Sequence, residues 1–202
     1  MTNKPTLGRD FDRDKNLTYR PQDESGDLPY HPLVMIDTKQ QESIVSLILE
    51  QHRMLYEFTK TLKDSKSNEA AKQKALFDLV GLWVPHAQAE ENALYDEIIF
   101  SKEVQHQLDE AIEEHAIMQI MIEELEGLNF RLTWNKNIEQ KAKALADVID
   151  RHVLVEEESY LKLVQDLIPP ENLQLLGREF TRQFEAVASH YKASLKPSRI
   201  LS

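Results

Sequence analysis

The chain contains no cysteine, so it forms no disulfide, offers no thiolate nucleophile and cannot hold an iron–sulfur cluster through sulfur. Any metal it binds must be held by nitrogen and oxygen. Glycine is scarce, five in 202 residues, which argues against a turn-rich β architecture. No apolar run approaches the 18 residues of a membrane span, so no membrane association is expected. The opening Met1-Thr-Asn-Lys-Pro-Thr has no apolar core of signal-peptide type, and the cytoplasm is the expected location. Positive charge is also in deficit: 24 Lys and Arg against 35 Asp and Glu leave a net charge of -11. Nucleic acid and anionic membrane are bound mainly through Lys and Arg, so neither is an expected partner. What is present is ordinary for a globular protein, with 41% hydrophobic and 29% charged residues in a length that suits one domain with a full core.

Residues 1–36 are polar, charged and interrupted by Pro5, Pro21, Pro29 and Pro32, which predicts an extended arm. Helical periodicity then sets in. A first helix is expected from Asp37 or Thr38 to about Lys63, and a second, capped by Ser67 or Asn68, to about Ile99. Pro85 lies inside the second and predicts a kink between Gly81 and Pro85. A third helix, capped by Ser101, should end near Gly127, and a fourth should run from about Asn137 to Leu167, where Pro169-Pro170 stops it. Four long amphipathic helices with short connections predict an all-α, up-down-up-down four-helix bundle over residues 37–167. A fifth helix, about Glu171 to Tyr191, carries Leu173, Leu176, Phe180 and Phe184 at helical spacing, so residues 168–202 form a packed helix and a loose tail.

One pattern is written twice: His86-Ala-Gln-Ala-Glu90-Glu91 and His152-Val-Leu-Val-Glu156-Glu157. Positions i and i+4 stack on one face of a helix, so each copy aims an imidazole and a carboxylate the same way. The first and third helices each place one histidine, His52 and His115, on their apolar face. One buried histidine is usually a satisfied core residue. Four of them with two inward carboxylates are different, because burying such charges uncompensated costs several kcal/mol per ion. The inward faces show no Lys or Arg to pair with them, and a bound cation removes that cost. His106 precedes His115 by nine residues, about 900°, and belongs on the solvent side. Four imidazoles and two carboxylates exceed what one zinc needs and suit two ions, each with two histidines, spanned by Glu90 and Glu156. Thiolate-free, imidazole-rich ligation fits iron, and manganese and zinc also fit.

His52, His86-x-x-x-Glu90, His115 and His152-x-x-x-Glu156 on four helices resemble the hemerythrin-like family of HHE cation-binding domains. The resemblance covers about residues 37–167. It implies a hemerythrin-like bundle around a non-haem di-iron centre with an oxo or hydroxo bridge, whose partners are dioxygen, peroxide or nitric oxide, or which senses iron. The oxygen carriers of that family have a second histidine one turn after the third-helix histidine, where this chain has Gln119, and end with HxxxxD, where this chain has HxxxE. One ligand fewer leaves more coordination open to water, oxidant or a small organic substrate. Oxidoreductase activity and oxygen binding without turnover are both open on these residues.

Helical phase also names candidates beside the ligands. Tyr56 and Gln119 stand one turn after His52 and His115, and Tyr160 stands two turns after His152 and is expected mainly to pack. Ala93 and Ser159, each seven residues past a motif histidine, are candidates for a pocket beside the metals or for close helix approach. Glu91 and Glu157 point about 100° away from the ligands and are expected to be interhelical or surface charges, with a hydrogen bond to a ligand histidine as the lesser alternative. Trp83 and Trp134 are expected to pack in the core and the loop.

Overall fold

A computed structural model describes residues 42–95 and 102–194. The N-terminal arm and the Ser101 cap lie outside the described residues. Among those described, all regular structure is helical and forms five helices.

Helix α1 spans Ile44–Lys63, and the Ser43 hydroxyl accepts from the Ser46 N–H at 3.2 Å. The helix therefore begins later than Asp37 or Thr38. Tertiary packing selects this cap, because the chain at Glu42–Ile44 is pressed against Gly177 of the last helix. Helix α2 comprises Glu69–Glu90 and a wide turn of π type, Glu91–Tyr95. Asn68 caps it through the Ala71 N–H at 2.9 Å. The helix runs unbroken through Pro85, and regular α geometry gives way only after Glu90.

Helix α3 spans Lys102–Gly127 and ends in a turn where Asn129 takes a φ of 56°, a conformation asparagine tolerates better than most residues. Helix α4 begins at Lys136, capped by Asn135 through the Ile138 N–H at 3.0 Å, and runs as Lys136–Val155, a π turn at Glu156–Tyr160, and Leu161–Leu167. In that π turn the Leu161 N–H reaches the carbonyl of Glu156, five residues back. Helix α5 spans Pro170–Ser194.

The helix pairs α1–α2, α1–α4 and α3–α4 pack side by side, and α5 lies along α2 and α1. This is the expected up-down-up-down bundle with one added helix. Its core falls into two apolar clusters. Leu55, Leu79, Trp83, Met118, Leu145 and Ile149 belong to one, and Ile48, Ala89, Leu94, Leu161, Val164 and Phe180 to the other.

Candidate metal centre

Eight polar or charged residues are buried among those described, and six of them are His52, His86, Glu90, His115, His152 and Glu156. The other two are Thr59, which donates to Asp150 at 2.6 Å, and Lys72. Lys72 corrects the expectation of inward faces free of Lys. It is tolerated because its ammonium meets Glu139 at 2.6 Å at the start of α2, away from the histidines.

The six side chains converge. One ligand atom from each of His52, His86 and Glu156 falls in one cluster, and one from each of Glu90, His115 and His152 in another, with all atoms of a cluster within 4.8 Å of one another. The two carboxylates tie the clusters together. Glu156 Oε2 lies 3.3 Å from His52 Nε2 and 3.4 Å from His152 Nε2, while Glu90, grouped with His115 and His152, lies 3.7 Å from His86 Nε2. His115 Nε2 and His152 Nε2 face each other at 3.1 Å.

The donor set fits a cation. His52 Nε2, His86 Nε2 and all four oxygens of Glu90 and Glu156 are buried with no aligned hydrogen-bond partner. Native proteins rarely leave such atoms orphaned. Ligand bonds of about 2.1 Å put neighbouring donor atoms at about these separations. Each histidine meanwhile has its outer nitrogen engaged: Nδ1 of His52 with Glu157 (3.0 Å), of His86 with Gln51 (2.8 Å), of His115 with Glu91 (2.9 Å) and of His152 with Glu114 (2.9 Å). A carboxylate or amide oxygen there requires Nδ1–H as the donor, which turns Nε2 inward, where it can ligate once it carries no proton.

Electrostatics tell the same story from the metal-free side. Burial holds the imidazoles of His86 and His115 below their ordinary range, which favours the neutral, ligating form. Burial and the neighbouring Glu156 push the Glu90 carboxyl well up. Burial also works against charge on Glu156, but the His152 and His52 imidazoles outweigh it and hold that carboxyl well down. His152 is opposed by burial and raised to about 9 by Glu114 and Glu156. Without a cation, the cluster holds a proton in its place.

Tyr56 lines a cavity with His52 and Glu157, and Gln119 one with His115 and Glu91, but both stand at the exposed rim. Tyr56 is 57% exposed, under the Lys60 ammonium, and Gln119 is exposed and donates to Glu123 at 2.9 Å. Four residues make about 400°, so each sits about 40° past its histidine, on the side away from the buried stripes Leu55–Thr59 and Met118–Ile122. Ala93 is buried within the second apolar cluster, in keeping with the close-approach alternative. Ser159 does line a cavity, of about 340 Å³, between α3 and α4, together with His152, Glu156, Tyr160, Glu114 and Arg151. Tyr160 is 3% exposed and its hydroxyl has no partner. Burial and then the Glu90 and Glu156 carboxylates raise its phenol. His106 lies on the solvent face, 3.7 Å from Glu110, with its side chain 82% exposed.

Trp83 is more than packing. Its ring centroid lies 5.5 Å from that of His86 and 5.4 Å from those of His115 and His152, so it floors the site. Phe180 of α5 covers His86 edge-on at 6.2 Å. Glu91 and Glu157 are interhelical, and their partners are histidines of the cluster, the lesser of the two expectations. Gln51 and Glu114 were not singled out by the sequence pattern. The available signal was position, since each immediately precedes the lone histidine of its helix.

Residues 43–164 match the family model described as the hemerythrin HHE cation-binding domain. The match covers more than half of the chain, and the protein belongs to that family. Neither the curated proteins nor the solved structures include a significant match. Helix α5 lies beyond the matched residues. No helix among the described residues is long and apolar enough to cross a membrane.

Proposed function

We propose that the six residues hold two iron ions, His52 and His86 at one, His115 and His152 at the other, with Glu90 and Glu156 spanning the pair. The observation that supports this most directly is the set of buried nitrogens and carboxylate oxygens that converge on one another with no aligned hydrogen-bond partner. A bound iron pair supplies one-electron redox chemistry toward dioxygen, peroxide or nitric oxide. The chain supplies the rest. Glu157, Gln51, Glu91 and Glu114 fix the tautomer and ring orientation of the four histidines. Trp83 and Phe180 keep water from the inner faces of the histidines. The Tyr160 hydroxyl, held protonated by burial and the nearby carboxylates, is an unspent hydrogen-bond donor at the site. The cavity between α3 and α4 offers a route in, because it reaches both His152 and Glu156, whereas cavities of about 420 and 540 Å³ elsewhere reach only His115 and only His52 among the six.

That cavity also favours a second reading, a di-iron oxidoreductase acting on a small organic substrate. About 340 Å³ is at the lower end of small-molecule sites, and Arg151, Ser159 and Tyr160 offer polar contacts there. The test is metal content by mass spectrometry on protein purified without chelators, with absorption spectra before and after peroxide. Two irons per chain, a near-ultraviolet charge-transfer band and steady loss of peroxide are expected. Two irons with a spectral change but no turnover would make the protein a binder or sensor. No iron retained after reconstitution would overturn the proposal.

A further inference from the structure

The four hydrogen bonds to the histidines repeat between the two halves of the bundle. In each half, the residue before the lone histidine accepts from the motif histidine of the next helix: Gln51 from His86 at 2.8 Å, Glu114 from His152 at 2.9 Å. In each half, the residue after the motif glutamate accepts from the lone histidine of the other half: Glu91 from His115 at 2.9 Å, Glu157 from His52 at 3.0 Å. The pattern breaks at one place. Where symmetry calls for a carboxylate, Gln51 presents a neutral amide.

This break divides the site. At the position of His115, His152 and Glu90, both imidazoles donate to carboxylates. At the position of His52, His86 and Glu156, only His52 does. A carboxylate acceptor makes a stronger, charge-assisted bond and pushes electron density to the opposite ring nitrogen, which raises its strength as a ligand. It also adds a negative charge close to the cation. Arg151, 3.9 Å from Glu114, opposes this, but its side chain is 78% exposed and solvent screens it. Trp83 faces histidines of both positions and does not distinguish them, whereas the apolar Phe180 faces His86.

We propose that Gln51 makes the His52–His86–Glu156 position the weaker of two cation sites, so that ions load in order: first at His115, His152 and Glu90, then beside Gln51. The proposal rests on the two-cation reading above. It predicts a protein that passes through a defined one-ion state over a range of metal concentration.

The experiment is a calorimetric titration of the metal-free full chain with Co²⁺, followed in parallel by visible absorption. Wild type should take up two ions per chain in two steps whose affinities differ about tenfold or more. Gln51→Glu should tighten the second step about tenfold and leave the first unchanged, an outcome that damage to the fold cannot produce. Glu114→Gln should weaken the first step and bring the two together. Two ions bound with equal affinity, or an unchanged second step in Gln51→Glu, would overturn the ordering while leaving the two-cation site intact. Fewer than two ions per wild-type chain would overturn both.

Discussion

At the scale of single residues, the site depends on atoms that no protein group satisfies. Glu90 and Glu156 each lie between the two clusters, so on the proposed two-iron reading replacing either by Ala removes a spanning ligand. Each variant should retain fewer than two irons per chain, measured by mass spectrometry after reconstitution. The His106→Ala control should retain the wild-type content, because that imidazole points into solvent. Proton linkage is a second residue-scale consequence. The folded value of His152, about 9, lies above the ordinary 6.5, so the proton's contribution to the stability of the metal-free protein is complete below about pH 6.5 and is lost as pH rises through about 9. A cation at Nε2 takes that proton's place. Loading at pH 7 should therefore release protons, and affinity should rise with pH toward 9. Calorimetry in buffers of different ionisation enthalpy counts these protons, and a count of zero would mean that His152 is neutral before loading.

At the scale of elements, helical phase carried most of the placement. The repeated HxxxE pairs and the two lone histidines point inward because i and i+4 share a face over regular α-helix. Phase brought Tyr56 and Gln119 beside His52 and His115 but onto the exposed rim, because the buried stripe drifts away from the i+4 position. It gives no warning of the two π turns, since these depend on hydrogen bonds to a residue five back rather than on composition. The first turn directly follows the His86–Glu90 pair and the second begins at Glu156 itself, a setting where such bulges often mark functional sites. Two glycines in helices should respond in opposite ways. A Cβ at Gly81 meets nothing within 4 Å, so Gly81→Ala should stabilise the protein by about 0.5–1 kcal/mol through helix propensity. A Cβ at Gly177 would fall 2.3 Å from the carbonyl oxygen of Glu42, part of the rigid backbone at the start of α1. Gly177→Ala should cost about 1–3 kcal/mol and loosen α5 from α1. Thermal unfolding of both variants decides between these signs.

At the scale of the whole molecule, α5 and the cavity give the bundle two unlike sides. Helix α5 covers α1 and α2 and lays Phe180 against His86, while the groove between α3 and α4 leaves His152 and Glu156 within reach of a small molecule. Filling that groove with Ser159→Phe should leave iron content unchanged and slow the reaction with peroxide severalfold, as read by stopped-flow absorption; an unchanged rate would place the route elsewhere. The sequence by itself determined the helical bundle and the inward face of His52, His86, His115, His152 and the two motif glutamates, because both follow from a local period that tertiary packing does not alter. It also excluded sulfur ligation outright. Tertiary structure alone decided which residues meet across helices: that Gln51, Glu91, Glu114 and Glu157 take the outer nitrogens, that Trp83 floors the site, and that Ser43 caps α1. Those pairings depend on how helices are rotated and staggered against one another, and spacing along a single chain carries no information about that.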